Sequence, residues 1–267
     1  MQVIADNLHI IRPEIRAAVE EKNPGPIREL VRQCLAAGAD GIDINSGPLS
    51  RDAEGRMRFL VETVEQETEQ TILIDTTNPK AIRAGLKAAG NRAIINGISP
   101  EPVKLEHILP IAAEFDVPVI GYLLTEAGHV PGSEAEGYDI ALTLLNAVES
   151  AGLKRERLMI DPIVAPLMWE SGTAHNRDII ALIRSLPDVL GYPVKTIAGV
   201  SNLTTGDAPA AKKRLMEAAF LPMLADAGLD MALLNVFHED TVRLARACEA
   251  LTRSEERRVG KECTLRC

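Results

Sequence analysis

The fold is decided by a short stretch, residues 39–45, with the sequence ADGIDIN. It is a strand-like run rich in apolar residues, and it ends in polar Asn45. Similar runs occur at residues 2–5, 71–75, 92–96, 117–123, 158–161, 195–201 and 231–235. Most of these runs are almost continuously apolar, as parallel strands must be when helices cover their sheet.

Helical patterns separate these runs. Residues 27–35 place apolar side chains on one helix face, with Pro26 in the first turn. Asn78 and Gly90 mark the start and the end of a second helix. Eight strand–helix units in about 250 residues predict an α/β fold, a single-domain (β/α)8 TIM barrel over residues 1–252. The main alternative, a doubly wound open sheet, would normally carry a glycine-rich first turn, and no GxGxxG motif occurs.

The last residues, 253–267, differ from the rest of the chain. Their sequence, RSEERRVGKECTLRC, holds five basic and three acidic residues, and the apolar periodicity before it stops. We predict a disordered or non-native C-terminal tail and leave it out of the reasoning on the fold. A basic docking tail for an acidic partner is the alternative.

The composition of the chain argues against several classes of protein. The chain has 267 residues, a formal net charge of −9 and 3% aromatic residues, so it has neither the basic surface nor the stacking platform of a nucleic-acid binder. No run of about 18 apolar residues occurs, so no membrane-spanning helix is expected. Four cysteines without a CxxC spacing indicate neither a disulfide framework nor a structural zinc site. We expect a cytoplasmic protein with reduced thiols.

Polar residues mark the ends of the predicted strands, and in a parallel barrel these ends meet at one mouth. They are Asp43, Asn45, Asp75, Asn96, Asp161 and Asn202. Because this set contains no histidine, no lysine and no clear ligand motif, we expect no metal there. It suits a neutral heterocycle with several N–H donors. A pterin is such a heterocycle. Its 2-amino-4-oxopyrimidine edge carries two adjacent N–H groups, and a single carboxylate can accept hydrogen bonds from both.

Five motifs, each at a predicted strand end, carry a family resemblance. They are GADGIDINSGP at residues 38–48, DTTN at 75–78, AIIN at 93–96, IDP at 160–162 and GVSN at 199–202. The chain resembles the methyltetrahydrofolate:corrinoid protein methyltransferases, which belong to the pterin-binding, dihydropteroate-synthase-like superfamily. The resemblance spans residues 1–252. It implies a homodimeric TIM barrel that moves a methyl group between N5 of tetrahydrofolate and the cobalt of a corrinoid (cobalamin) in one-carbon metabolism.

The resemblance also implies a partner and points to one residue near the reacting atom. No DxHxxG cobalamin-binding motif occurs at any of the five histidines, so the corrinoid is expected on a separate corrinoid protein. Asn202 corresponds to the mobile amide that hydrogen-bonds near N5 of the pterin. Because N5 must gain positive charge before the methyl group leaves, we hypothesise that Asn202 and pocket water supply the hydrogen-bond donor and that Asp75 gives electrostatic support. Asn202 and Asp75 are therefore the expected catalytic residues.

The remaining strand-end residues take binding roles by the same resemblance. Asp75, Asn96 and Asp161 correspond to the set that anchors the pterin. Asp43 and Asn45 correspond to residues of the second strand that line the same pocket.

Some residues are not placed by the family pattern. Residues 5–9, ADNLH, depart from it. Four polar residues near the mouth therefore keep open roles: Asp6, Asn7, His9 and His238. Asp40 is expected to shape the chain before the second strand, and His175 is expected at the surface.

Two other functions stay open. A dihydropteroate synthase-like enzyme shares the barrel and the pterin pocket, but it usually has a lysine near the seventh strand and a Ser-Arg pair at the eighth. Residues 199–202 and 234–237 contain no such cations. A non-catalytic folate-binding subunit is the second alternative. The same residues would serve methyl transfer in either direction.

Overall fold

Eight parallel strands close into a barrel in the computed structural model, which describes residues 1–47, 51–90 and 92–263, with side chains as far as residue 252. The strands follow one another around the barrel in chain order, and β1 pairs with β8. They are β1 (Gln2–His9), β2 (Gly41–Asn45), β3 (Thr71–Asp75), β4 (Ala93–Ile98), β5 (Val119–Tyr122), β6 (Leu158–Asp161), β7 (Lys195–Gly199) and β8 (Met231–Leu234). The predicted TIM barrel is confirmed, and the open sheet is excluded because the ring is closed.

Helices cover the outside of the barrel. They are α1 (Pro13–Glu21), α2 (Pro24–Ala36), α3 (Ala53–Glu65), α4 (Pro79–Ala88), α5 (Pro102–Phe115), α6 (Glu134–Ser150), α7 (Gly172–Leu190), α8 (Ala210–Ala227) and α9 (Glu239–Cys263). Both helices predicted from the sequence, α2 and α4, begin with a proline after an asparagine cap. The Asn78 side chain accepts hydrogen bonds from the backbone N–H groups of Lys80 (3.0 Å) and Ala81 (3.3 Å), which fixes the start of α4.

Buried apolar side chains fill the centre of the barrel. This apolar layer consists of Ile4, Leu73, Ile94, Ile120, Met159, Ile197 and Met231. Because side chains alternate along a strand, the residue two positions further on points to the same side. On β3 to β6 that residue is Asp75, Asn96, Tyr122 or Asp161. The apolar layer is therefore the floor of a polar pocket at the C-terminal mouth.

Asp40 joins the last helix to the first strand. The Arg246 guanidinium on α9 donates to both carboxylate oxygens of Asp40, at 2.8 Å each, and to the carbonyl of Gly38 at 2.6 Å. Asp40 Oδ2 also accepts a hydrogen bond from the backbone N–H of Val3 on β1, at 2.8 Å. The expected structural role of Asp40 is confirmed. Asp40 lies at the N-terminal side of the barrel, away from the mouth.

Helix α9 continues eleven residues beyond the predicted boundary at residue 252, as far as Cys263. Residues 264–267 lie outside the described part of the chain. The disordered or non-native tail and the domain boundary stay predictions. Within the described residues, none of the helices has the length and apolar character needed to cross a membrane.

Removing the Asp40 carboxylate should destabilise the barrel. Asp40→Ala leaves the Val3 N–H and the Arg246 guanidinium without this acceptor, so we expect the free energy of unfolding to fall by about 2 kcal/mol. The control is Asp226→Ala, which breaks an exposed ion pair with Arg184 (2.5 Å) and should change stability by less than about 0.5 kcal/mol. Urea unfolding measures both, and equal small losses would contradict the structural role of Asp40.

Candidate active site

The strand register brings the predicted polar residues to one level of the barrel. Asn45 on β2 lies beside Asp75 on β3, and Asp75 lies beside Asn96 on β4. Further around the ring, Tyr122 on β5 lies beside Asp161 on β6. The pocket above the apolar layer is therefore lined by carboxylates and amides from neighbouring strands.

A directed chain of hydrogen bonds orients Asn96. The Tyr122 hydroxyl donates to Asn96 Oδ1 at 2.7 Å, and Asn96 Nδ2 donates to Asp43 Oδ1 at 3.1 Å. Since Oδ1 is taken by the tyrosine, the amide nitrogen must face the aspartate. Asp43 and Asn96 are both buried, at 3% and 7% exposure, so the chain holds the amide and the carboxylate in fixed positions.

A second pair lies beside the first. Asn45 Nδ2 donates to Asp75 Oδ2 at 2.5 Å, while Asn45 Oδ1 accepts from the backbone N–H of Gly47 at 3.2 Å. One oxygen of Asp75 is thus occupied, and the other remains available to a ligand. Within the described residues, neither Asp43 nor Asp75 forms an ion pair with a lysine or an arginine.

Asp161 is held by the turn that follows β6. Its Oδ1 accepts from the backbone N–H of Ile163 at 2.8 Å, and the residue is 9% exposed. His175 Nε2 contacts the Ile163 carbonyl at 2.8 Å, and Asn176 bonds both the N–H and the carbonyl of Ala165. The prediction that His175 lies at the surface is wrong: it is 4% exposed, because it fixes the loop that positions Asp161.

Burial raises the carboxyl pKa values of this pocket, where the described residues place no lysine or arginine against the carboxylates. Burial raises the pKa of Asp161 to about 7 against the lowering effect of the Ile163 N–H, and burial raises the pKa of Asp75 to about 7. The pKa of Asp43 is raised well above its usual range, first by burial and then by the nearby charge of Asp75. A ligand that donates N–H groups would restore the solvation that these carboxylates have lost.

Asn202 differs from the other predicted residues. It lies after β7 on a 3₁₀ turn, Val200–Thr204, which we call the Asn202 turn. Its side chain is exposed and makes no hydrogen bond with the described residues. A Cβ atom at Gly199 would come within 3.2 Å of Asn202 Nδ2, so glycine leaves room for the amide there. The structure brings Asp43, Asn45, Asp75, Asn96 and Asp161 together, and it leaves Asn202 free at the rim.

The sequence reasoning missed Tyr122, and it left open the roles of Asp6, Asn7 and His238, which belong to a second polar cluster at the mouth. Tyr122 follows the apolar-layer residue of β5 by two positions, which is the signal that could have found it. The second cluster joins β1, the Asn202 turn, α8 and the residues after β8. It consists of Asp6, Asn7, Ser201, Thr204, Glu217, Asn235 and His238. Within the described residues, no group of histidine, cysteine and carboxylate side chains is suited to hold a metal ion.

The chain matches known proteins over most of its length. The sequence profile of the family described as pterin binding enzyme matches residues 18–235. The chain is 24% identical over 254 residues to the methylcorrinoid:tetrahydrofolate methyltransferase of Eubacterium limosum, a match that covers 94% of this chain and 91% of that protein. It is also 25% identical over 210 residues to the methionine synthase of Mycobacterium tuberculosis, with 74% of this chain and 17% of that protein covered. The resemblance inferred from the strand-end motifs is confirmed.

Solved structures share the fold. Dihydropteroate synthase of Yersinia pestis with a pterin–sulfa conjugate superimposes with a TM-score of 0.72 at 20% identity, covering 95% of this chain and 93% of that one. A dihydropteroate synthetase with a product gives a TM-score of 0.71 at 22% identity, covering 95% and 94%. At these identities the likeness concerns the barrel, and the chemistry must be argued from the pocket.

The raised pKa of Asp161 predicts how stability depends on pH. A carboxyl whose pKa is about 7 in the folded protein and 3.8 in the unfolded chain stabilises the fold at low pH, and this contribution is lost as the pH rises through 7. The Asp161→Asn variant keeps the shape of the side chain but has no carboxyl group that can titrate. Between pH 5 and pH 7, which lie within the interval bounded by the two pKa values, we expect the wild type to lose about 2 kcal/mol relative to this variant.

Urea unfolding at both pH values measures this difference. The exposed carboxyls with lowered pKa values, such as Asp52 and Asp116, act in the opposite direction but cancel between the two proteins. Asp226→Asn, at an exposed site, serves as the control. Parallel pH profiles of the wild type and Asp161→Asn would contradict the shift.

Proposed function

We propose that this chain, which belongs to the family of pterin binding enzymes, transfers a methyl group between N5 of tetrahydrofolate and the cobalt of a corrinoid. The corrinoid is a second substrate, carried by a separate protein. The printed name of the Eubacterium limosum relative, aligned over almost its full length, supports this reaction. By the same resemblance we propose a homodimer, and from the cysteine pattern we propose that it works in the cytoplasm.

The observation that carries the proposal is a pocket of buried carboxylates that, in the described part of the chain, form no ion pair with a lysine or an arginine. A pterin presents an N–H and an NH2 group side by side, and one ionised carboxylate can accept both. Asp161 has one oxygen on the Ile163 N–H and one oxygen left for this purpose. Asn96, oriented by Tyr122, and Asp75 offer further polar partners. We assign Asp75, Asn96 and Asp161 to the pterin, with Asp43 and Asn45 holding them in place.

The chemistry requires positive charge on N5. Nitrogen leaves poorly from a methyl group unless it gains a proton or a hydrogen-bond donor. When the N5–methyl bond breaks, its electron pair stays on N5, which takes up a proton from water at the open mouth, and the reduced corrinoid, as the second substrate, supplies the pair for the new bond to the methyl group. We assign Asn202 the role of donor near N5. Asp75, with a pKa raised to about 7 by burial, gives electrostatic support to the developing charge.

The chain's own contribution is to bind, orient and polarise the folate. The corrinoid supplies the nucleophile, and no residue of this chain needs to form a covalent bond. The exposed Asn202 amide at the rim is compatible with a large second substrate that approaches from outside the mouth. The reverse reaction would use the same residues.

A dihydropteroate synthase-like reaction is the alternative favoured by the solved structures with this fold. That reaction releases diphosphate, which needs cations at the mouth. Within the described residues that follow β7 and β8, positions 199–204 and 235–238 hold no lysine or arginine. A non-catalytic folate-binding subunit would bind the pterin but fail to turn over.

The first test is the loss of the Co(I) absorption band when purified protein, methyltetrahydrofolate and reduced cobalamin are mixed. We expect decay with the wild type and kcat lowered about 100-fold in Asn202→Ala, because a transition-state donor is lost. Folate affinity should change less than about threefold. Asn146→Ala, on the exposed face of α6, is the matched control. Folate binding without decay, with either free or protein-bound cobalamin, would contradict methyl transfer, and equal losses of kcat and affinity would contradict the role of Asn202.

A second test concerns the pterin contact. Asp161→Ala removes a buried charged acceptor, so we expect folate binding to weaken by about 2 kcal/mol, or about 30-fold. Isothermal calorimetry measures the affinity, and Asp226→Ala at an exposed site is the control. An unchanged dissociation constant would contradict the assignment of Asp161 to the pterin edge.

A further inference from the structure

Two hydroxyl groups flank Asn202, and each donates to a carboxylate. The Ser201 hydroxyl donates to Asp6 Oδ2 on β1 at 2.9 Å. On the other side, the Thr204 hydroxyl donates to Glu217 Oε1 on α8 at 2.5 Å. Asn202 itself is exposed between them. The Asn202 turn is thus tied on one side to the first strand, far away in the chain, and on the other side to α8, while its amide stays available.

Glu217 is an unusual anchor. It is 5% exposed, yet within the described residues it contacts no lysine or arginine. Its second oxygen faces His238 Nδ1 at 3.3 Å. Burying a carboxylate costs free energy unless hydrogen bonds compensate for the lost water, so Glu217 depends on the two hydrogen-bond partners that it has. Here they are one hydroxyl of the Asn202 turn and one imidazole.

The directions of the hydrogen bonds around His238 determine which of its two ring nitrogens donates and which accepts. Asn235 Oδ1 accepts from Asn7 Nδ2 at 2.8 Å and from the backbone N–H of Phe237 at 3.1 Å. Asn235 Nδ2 must therefore face His238 Nε2, at 3.4 Å. An imidazole that accepts on Nε2 carries its proton on Nδ1 and donates it to Glu217. Glu217 receives two donors and acts as a fixed acceptor for Thr204.

The residues of the first strand complete this arrangement. Asp6 holds Ser201, and Asn7 Oδ1 accepts from the backbone N–H of Val236 at 3.0 Å. Burial raises the pKa of the Asp6 carboxyl, and the nearby charge of Glu217 raises it further. Departure from the family pattern at residues 5–9 thus coincides with a set of contacts to the Asn202 turn and to the residues after β8.

We propose that Asp6 and Glu217 are positioning residues, which hold the Asn202 turn through Ser201 and Thr204 so that the Asn202 amide points at N5 of the folate. We call these four residues the Asn202 clamp. The inference rests on the proposed function for its catalytic consequence. His238 supports the clamp by fixing Glu217, and none of the clamp residues touches the reacting atoms.

Thr204 offers the cleanest variants. Thr204→Val replaces the hydroxyl by a methyl group of similar size, whereas Thr204→Ser keeps the hydroxyl. Thr143→Val makes the same change on the exposed face of α6, where the Thr143 hydroxyl donates to the Asp139 carbonyl at 2.8 Å. This variant is the matched control.

Amide hydrogen exchange in the full-length protein tests the clamp without turnover. Read by mass spectrometry over residues 200–205, exchange should become about tenfold faster in Thr204→Val. Thr204→Ser and Thr143→Val should stay within about twofold of the wild type. Unchanged exchange in Thr204→Val would overturn the clamp. If that variant does not fold, Ser201→Ala tests the Asp6 side in the same way.

Methyl transfer to reduced cobalamin tests the consequence. We expect kcat to fall about tenfold in Thr204→Val through misplacement of the amide, with the folate dissociation constant within about twofold. In an Asn202→Ala background the same change should have no further effect, since the group being positioned is gone. A loss that persists there, or one confined to affinity, would overturn the positioning role. A wild type without methyl transfer contradicts the proposed function instead, and hydrogen exchange still decides on the clamp.

Discussion

Side-chain alternation in a closed parallel barrel is the constraint on which the rest of this structure depends. Once the apolar layer fills the centre, the next inward position on each strand has to face the mouth. On β3, β4 and β6 that position holds Asp75, Asn96 and Asp161. Parallel register sets these side chains at one level. The pocket is therefore a consequence of how the barrel is packed, and the loops add to it afterwards.

Packing these carboxylates into the barrel leaves them poorly solvated. Their raised pKa values express this cost, and the hydrogen bonds from Asn96, Asn45 and the Ile163 backbone offset only part of it. A binding site in this condition favours ligands that bring N–H donors and disfavours anions. The same side chains thus lower the stability of the empty barrel and provide its affinity for the ligand.

Local sequence patterns were enough to predict the strands and the pocket carboxylates, since each of these carboxylates lies at the end of a recognisable strand. They were insufficient where a contact joins distant parts of the chain. Asp6 meets Ser201 across 195 positions, and Asn7 meets Asn235 across 228. His175 was misjudged because one histidine on a helix carries no periodic signal of burial. Tyr122 was overlooked because it was taken as part of an apolar run, although its hydroxyl orients Asn96.

The bond between Arg246 and Asp40 has a consequence for how this protein is made. It joins α9 to the turn before β2, and β8 supplies the second neighbour of β1. During synthesis one edge of β1 must wait until residues 231–234 have left the ribosome, and the closing ion pair must wait for residue 246. Contacts of such sequence separation form late. An open edge in a half-made barrel can pair with other chains, and this hazard ends only when β8 closes the ring.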